Sequence, residues 1–145
     1  MQRPDPPFLL LVLLGPATIL SGGEAPRKAP VAKVIRLDTG GKDYLPLLAG
    51  PPETVTMRSG LVVLAPGKAV GKHSTGQHEE ILVVLAGTGE MRITGESSLP
   101  VVAGTAVYCP SGREHDVLNT GQAELRYVYV VARASGRTRL VPRGR

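Results

Sequence analysis

The residues of this chain best suited to metal chemistry are its three histidines and a neighbouring pair of carboxylates. His73 and His78 lie in the segment that ends at Glu79 and Glu80, and His115 follows Glu80 by about 35 residues. Imidazole and carboxylate groups are the ligands with which proteins hold Fe, Mn, Ni, Cu and Zn, and two or three histidines with one carboxylate form a recurrent catalytic set. A fold that brings the two segments together would therefore create a site for one divalent transition-metal ion.

Short strands separated by turn residues must position these side chains, since the chain contains no convincing amphipathic helix. The strand segments are rich in Val, Leu, Ile, Tyr and Thr, and Gly, Pro, Asp or Ser bound them. Their number and spacing predict an all-β sandwich or barrel in a single domain. The predicted strands are Val31–Leu37, Thr54–Arg58, Leu61–Ala65, Glu80–Ala86, Glu90–Thr94, Thr105–Cys109, Asp116–Leu118 and Leu125–Ala132.

One of these strands differs from the others in its hydrophobic pattern. Ile81–Leu85 is apolar at every position instead of alternating, which predicts a strand that is covered on both faces. Val31–Leu37 is the first strand in the chain, and as an open edge strand it would be a natural place for two barrels to pair as a homodimer.

Two groups of residues with fixed spacing surround the histidines. The first group consists of Gly67, His73, Thr75, Glu80 and Gly87. The second consists of Gly104, Pro110, Gly112, His115 and Asn119, the last of which is the only asparagine in the chain. The glycines and Pro110 are expected to form turns, and Asn119 is expected to hydrogen-bond to backbone.

These two groups resemble the two sequence motifs of the cupin superfamily. The first group matches four of the five fixed positions of its motif, and the second matches all five. The resemblance implies a small, cupin-2-like protein with one all-β domain, a cupin jelly-roll barrel (double-stranded β-helix), over residues 26–133. It also implies that His73, Glu80 and His115 bind a metal ion inside the barrel.

The resemblance is incomplete at one metal-binding position. Thr75 stands where the motif has a second histidine, so either three ligands remain or another group replaces the fourth. His78 is the candidate replacement, because side chains at positions i and i+2 of a strand share a face and His78 would lie beside Glu80. Glu79 would then point away from the site. The predicted metal ligands are therefore His73, His78, Glu80 and His115.

The resemblance implies a mononuclear metal-binding cupin with one divalent ion (Fe, Mn, Ni, Cu or Zn). Such a site suits a metalloenzyme of the dioxygenase, isomerase or decarboxylase type that acts on a small oxygen-bearing substrate. Glu80 would be its catalytic residue, as ligand or as proton acceptor, and Tyr108 and Tyr127 would line the pocket. The alternative is a non-catalytic cupin module that binds a sugar, a small ligand or a metal, since the fold does not choose between these functions.

Charge and cysteine content exclude several other classes of protein. The formal net charge is +5, but residues 1–132 are neutral, with twelve basic and twelve acidic residues. The excess lies in an Arg-rich tail, residues 134–145, together with Arg133, and we expect that tail to be flexible. Specific nucleic-acid binding is therefore not expected. Cys109 is the only cysteine, which excludes an intrachain disulfide, and it is expected to be a small buried apolar residue.

The beginning of the chain has the pattern of a targeting segment. Phe8–Leu14 is an unbroken apolar run, Arg3 precedes it, and small residues that suit a signal peptidase follow it at Ser21 and Gly23 or at Gly23 and Ala25. This pattern predicts a signal peptide over residues 1–25 and export to the periplasm or the cell exterior. The run is shorter than a membrane-spanning helix requires, so no stable membrane anchor is predicted.

Overall fold

The structure, a computed structural model, describes residues 29–134, and within this range it contains β-strands and no helix. The predicted signal peptide and the arginines of the tail lie outside the described residues. Their roles and the domain limits at residues 26 and 133 stay predictions. The nine strands of the described range are β1 (Tyr44–Ala49), β2 (Arg58–Leu64), β3 (His73–Ser74), β4 (His78–Ala86), β5 (Thr88–Ile93), β6 (Leu99–Val102), β7 (Ala106–Cys109), β8 (Glu114–Asn119) and β9 (Leu125–Arg133).

The strands form two sheets. The first contains five strands in the order β1-β2-β9-β4-β7, and the second contains four in the order β3-β8-β5-β6. Every pairing between these strands is antiparallel. The prediction of an all-β fold is confirmed. Because none of the described residues is helical, residues 29–134 include no helix long and apolar enough to cross a membrane.

The core lies between the two sheets, where side chains alternate between the inside and the outside of the barrel. Leu82 and Val84 of β4 pack there with Met91 of β5, and Leu82 and Met91 are completely buried. The same inward row of β4 begins with His78 and Glu80, which line a cavity. Strand β4 therefore supplies apolar side chains to the core at one end and polar side chains to the cavity at the other.

Asn119, at the end of β8, holds three backbone groups together inside the barrel. Its amide nitrogen donates to the carbonyl oxygens of Leu64 at 2.7 Å and Ala123 at 2.8 Å. Its Oδ1 accepts the backbone N–H of Gly121 at 2.8 Å. Asn119 thus binds backbone, as the sequence predicts, and connects the end of β2 to the turn that precedes β9.

The predictions for the first part of the chain are partly wrong. Val31–Leu37 is not a strand, because it pairs with no other segment of residues 29–134. The homodimer predicted through this edge therefore loses its structural basis. Thr54–Arg58 is mostly a turn, closed by a hydrogen bond from the Thr54 hydroxyl to the Met57 carbonyl, and only Arg58 belongs to a strand. The strand that pairs with β2 is Tyr44–Ala49, which the sequence pattern missed.

Ile81–Leu85 was also predicted wrongly, since only one face of this strand is covered. Ile81, Val83 and Leu85 are 39%, 43% and 43% exposed, whereas Leu82 and Val84 are buried. The physical reason is the antiparallel sheet, which packs one face on the core and leaves the other to solvent. Apolar side chains on that second face do not by themselves imply a covering layer.

Candidate metal centre

Two histidines meet on the smaller sheet because β3 pairs with β8. His73 is the direct partner of His115 in this pairing, and the centroids of their rings lie 4.5 Å apart. The Nδ1 atom of His73 lies 2.8 Å from the Gly71 carbonyl oxygen, and that of His115 lies 3.1 Å from the Arg113 carbonyl oxygen. A carbonyl oxygen only accepts, so each Nδ1 is the donor and each neutral ring keeps its lone pair on Nε2. Metal-binding histidines are commonly oriented in this way.

Glu80 comes to the same place from the larger sheet. Its side chain is buried, and its Oε2 lies 3.0 Å from Nε2 of His115. One ligand atom from each of His73, Glu80 and His115 lies within 4.8 Å of the other two. Two imidazoles and a carboxylate that converge in this way fit a divalent transition-metal ion. Among residues 29–134 this is the one group of three such side chains.

The contact between His115 and Glu80 fixes the electrostatics of the group. The hydrogen bond to Glu80 raises the pKa of His115 above its usual value, and burial of the ring opposes that rise. Because Nδ1 of His115 donates to the Arg113 carbonyl, the lone pair of a neutral ring on Nε2 would face the Glu80 carboxylate. A positive species between Nε2 and Oε2 removes this repulsion. A proton or a metal ion can take that position, and the two compete for it.

His78 and Thr75 lie beside this group but outside it. His78 is half-buried at the start of β4 and lines the cavity, with its Nδ1 3.0 Å from the Thr75 carbonyl oxygen. The Thr75 hydroxyl donates to the His78 carbonyl at 2.7 Å. Neither residue belongs to the converging group, so the role of His78 as a fourth ligand stays a prediction. Glu79 points outward, as expected, and accepts a hydrogen bond from the Tyr108 hydroxyl at 3.0 Å.

Cys109 packs against His115 and is the direct cross-strand partner of Glu80. The predicted burial is confirmed, since its side chain is completely inaccessible. Its Sγ lies 3.4 Å from Nδ1 of His115. Burial raises the pKa of this thiol, with a smaller effect from the Glu80 charge, so the thiol stays protonated. Cys109 therefore packs against the histidine without the properties of a nucleophile.

A cavity of about 610 Å³ opens beside the converging group. Tyr127 lines it, as the sequence predicts, but Tyr108 does not, because Tyr108 lies on the outer face of the sheet. Sequence reasoning missed Tyr44, Arg58 and Tyr129, which also line the cavity. The two-residue period of β9 could have identified Tyr129 from Tyr127, whereas Arg58 required the correct start of β2. The cavity is lined by Tyr44, Arg58, Val62, Leu64, Val70, His73, Ser74, Thr75, His78, Glu80, Val117, Tyr127, Tyr129 and Val131.

Comparison with known proteins relates this fold and site to one family. The Cupin domain family matches residues 60–131, a range that includes His73, Glu80 and His115. A cupin 2 conserved barrel domain protein from Salinispora arenicola superposes with a TM-score of 0.59 and 24% identity, over 72% of this chain and 91% of that one. The chain belongs to the cupin superfamily. This cupin also superposes on a cupin family protein with a double-stranded β-helix fold from Methanocaldococcus jannaschii, with a TM-score of 0.59, 18% identity and coverage of 71% and 92%.

A curated relative matches part of this cupin in sequence. It is the oxalate-binding protein of Thermotoga maritima, which is 34% identical over 68 residues. The match covers 47% of this chain and 55% of the relative, so this cupin spans about half the length of that protein. The two solved structures are less than 25% identical to this cupin and support the jelly-roll fold alone.

Proposed function

We propose that this cupin holds one divalent transition-metal ion on His73, Glu80 and His115 and binds a small oxygen-bearing ligand at that ion. One observation carries the proposal: ligand atoms of three side chains, drawn from both sheets, converge within 4.8 Å beside a cavity. Backbone carbonyls hold the Nδ1 atoms of both rings, which leaves Nε2 of each available. A histidine and carboxylate set of this kind suits Fe, Mn, Ni, Cu or Zn.

The cavity provides space for a small ligand beside the ion. A bound divalent ion acts as a Lewis acid that attracts and polarises oxygen atoms. The chain places apolar side chains around the same space, including those of Val62, Val70 and Val131. These side chains limit the water that competes for the ion and strengthen electrostatic contacts inside the cavity.

The Thermotoga relative indicates which ligand to test first. Its name records oxalate binding, and the match with it includes 47% of this chain. Oxalate is a small ligand with oxygen atoms at both ends, which is the chemistry that an ion in this cavity would accept. We therefore propose a small carboxylate such as oxalate as the ligand.

The proposal also assigns a role to Glu80 if the bound ligand is converted. Its buried carboxylate contacts His115 and faces the cavity, so it is the side chain placed to exchange a proton with a ligand at the ion. A non-catalytic module needs the metal and the cavity but no proton transfer. Product analysis after incubation of metal-loaded protein with oxalate distinguishes the two functions.

The test begins with metal-free protein, prepared with a chelator and titrated with Mn²⁺, Fe²⁺, Ni²⁺, Cu²⁺ and Zn²⁺. We expect one ion per chain by calorimetry and elemental analysis, and no binding in His115→Ala. Glu80→Gln should weaken binding strongly because the ligand charge is lost. Glu79→Gln is the matched control, since Glu79 is the next residue on the same strand and points outward. Equal effects of the two glutamine substitutions, or full binding by His115→Ala, would refute the proposal.

A further inference from the structure

The cavity beside the metal-ligand group has a second polar region. Arg58 is the direct cross-strand partner of Val131, and Val131 is the direct partner of Glu80. The three residues form one row across β2, β9 and β4, and all three line the cavity. Neighbouring strands lie about 4.8 Å apart, so the Cα atoms of Arg58 and Glu80 are separated by roughly 10 Å. A positive side chain and the metal-ligand group thus border the same space.

The guanidinium of Arg58 has no carboxylate partner among the residues that the structure describes. The Lys and Arg ion pairs within 29–134 belong to other cations, namely Lys33, Lys72, Arg92 and Arg113. The Arg58 side chain passes close to the backbone of Gly50, where a Cβ atom would lie 2.9 Å from Nε. Glycine at position 50 therefore leaves room for the Arg58 side chain.

Two tyrosines complete the second polar region. The rings of Tyr44 and Tyr129 stack with centroids 6.4 Å apart, and their hydroxyl oxygens lie 2.9 Å apart. One hydroxyl donates to the other, and the second keeps its hydrogen for another acceptor. Burial raises the pKa of Tyr129, and the hydrogen bond with Tyr44 raises it further, so this phenol stays a donor.

The tyrosine pair depends on a glycine in the middle of β2. A Cβ atom at Gly60 would lie 2.6 Å from Cε2 of Tyr44 and 2.8 Å from Cε1 of Tyr129. A glycine weakens a strand interior, and its presence often marks a close approach of other groups. Here it admits both rings to the cavity wall.

We infer that Arg58, together with the hydroxyls of Tyr44 and Tyr129, binds a carboxylate group of the ligand whose other end reaches the metal. This inference rests on the proposed function and narrows its ligand to a small dicarboxylate. The planar guanidinium matches the two oxygens of a carboxylate, and the free phenol hydrogen supplies a further donor. A divalent ion with Glu80 carries one net positive charge and Arg58 carries a second, which together balance a dianion.

The test uses zinc-loaded protein and compares oxalate, malonate and succinate, which differ in length, with the neutral diamide oxamide. We expect at least one dicarboxylate to bind well above oxamide. Arg58→Gln should weaken its binding roughly tenfold to a hundredfold, the range for loss of a charged hydrogen-bonding partner. Zinc affinity should stay unchanged in this variant. Tyr129→Phe should weaken the same ligand by several-fold.

Arg92→Gln is the matched control, because Arg92 is an exposed arginine on β5 that pairs with Glu90 and does not line the cavity. Arg58→Gln protein that binds dicarboxylates as tightly as Arg92→Gln protein would overturn the inference. Wild-type protein that binds zinc but binds oxamide as well as any dicarboxylate would overturn it too, and the proposed metal function would stand. Absence of zinc binding, read in the separate metal titration, would overturn both.

Discussion

His115 is the residue on which metal binding and protonation compete most directly. Its Nδ1 donates to the Arg113 carbonyl, so only Nε2 can meet the carboxylate of Glu80. In metal-free protein the hydrogen bond to Glu80 raises the pKa of His115, and the resulting ion pair is buried. The metal must therefore displace a proton that Glu80 helps to hold.

We predict that metal affinity continues to rise with pH beyond the pH range in which an ordinary histidine loses its proton. Below the raised pKa of His115, affinity should fall by about tenfold per pH unit, because each binding event releases at least one proton. Zinc titrations between about pH 6 and pH 8.5 measure this slope. Affinity that is flat over this range would contradict the competition at His115.

The same group has the opposite effect on metal-free protein. A pKa raised by folding stabilises the folded state fully below the unfolded value, near 6.5, and this contribution disappears as pH rises past the raised folded value. Chelated protein should therefore lose unfolding free energy from this group as pH rises from 6 to 9. Urea unfolding at the two ends of this range, with and without zinc, separates the two effects.

A second residue-scale prediction concerns His78 and Thr75. The Nδ1 atom of His78 lies 3.0 Å from the Thr75 carbonyl oxygen, and the side chain is outside the converging group. We expect His78→Ala to keep one zinc ion per chain and to lose at most about tenfold in affinity, the size of an indirect effect on a metal site. Thr75→His, which restores the cupin pattern, should tighten binding. A severe loss in His78→Ala would instead make His78 the fourth ligand.

At the scale of elements, the end of β8 depends on Asn119. This buried side chain binds the Leu64 and Ala123 carbonyls and the Gly121 N–H, so Asn119→Ala leaves three backbone groups without their partner. We predict a loss of about 3 kcal/mol in unfolding free energy with an unchanged number of bound metal ions. Urea unfolding measures the loss of unfolding free energy, and Gln122→Ala is the control because Gln122 is exposed. A loss no larger than that of the control would contradict this role.

The elements also explain how much of the fold and site was predictable from sequence. The spacing around Gly104, Pro110 and Asn119 reflects local turns and backbone contacts, and the sequence carried that information directly. The Arg58 region was missed because the start of β2 depends on its pairing with β9 and β1, which no local pattern encodes. For the same reason Val31–Leu37 has the composition of a strand but pairs with no strand in the part of the chain that the structure describes. The assignment of Tyr108 to the pocket was wrong. The face of the sheet on which Tyr108 lies depends on the register of β7 with β4, and the sequence of β7 alone does not show that register.

At the scale of the whole molecule, the larger sheet has an outer face that carries apolar side chains. Val83 is 43% exposed on this face, while the next residue, Val84, is 3% exposed in the core. We predict that Val83→Thr changes the unfolding free energy by less than about 0.5 kcal/mol and that Val84→Thr costs about 1–3 kcal/mol, because only the second hydroxyl is buried. Urea unfolding of both variants is the measurement. Equal losses would mean that another layer covers the outer face in solution.

The position of the metal ligands on different sheets has a consequence for the entropy of the chain. His73 and His115 lie on the smaller sheet and Glu80 on the larger one, and 35 positions of sequence separate Glu80 from His115. A bound ion would link Glu80 to His115 and close the segment between them into a loop. While the ion stays bound, this link restricts the conformations that the chain can adopt when the two sheets come apart. The single cysteine excludes an intrachain disulfide that would have the same effect. Occupancy would then be measurable as a midpoint of thermal unfolding that rises with free zinc concentration, even where no ligand is bound or converted.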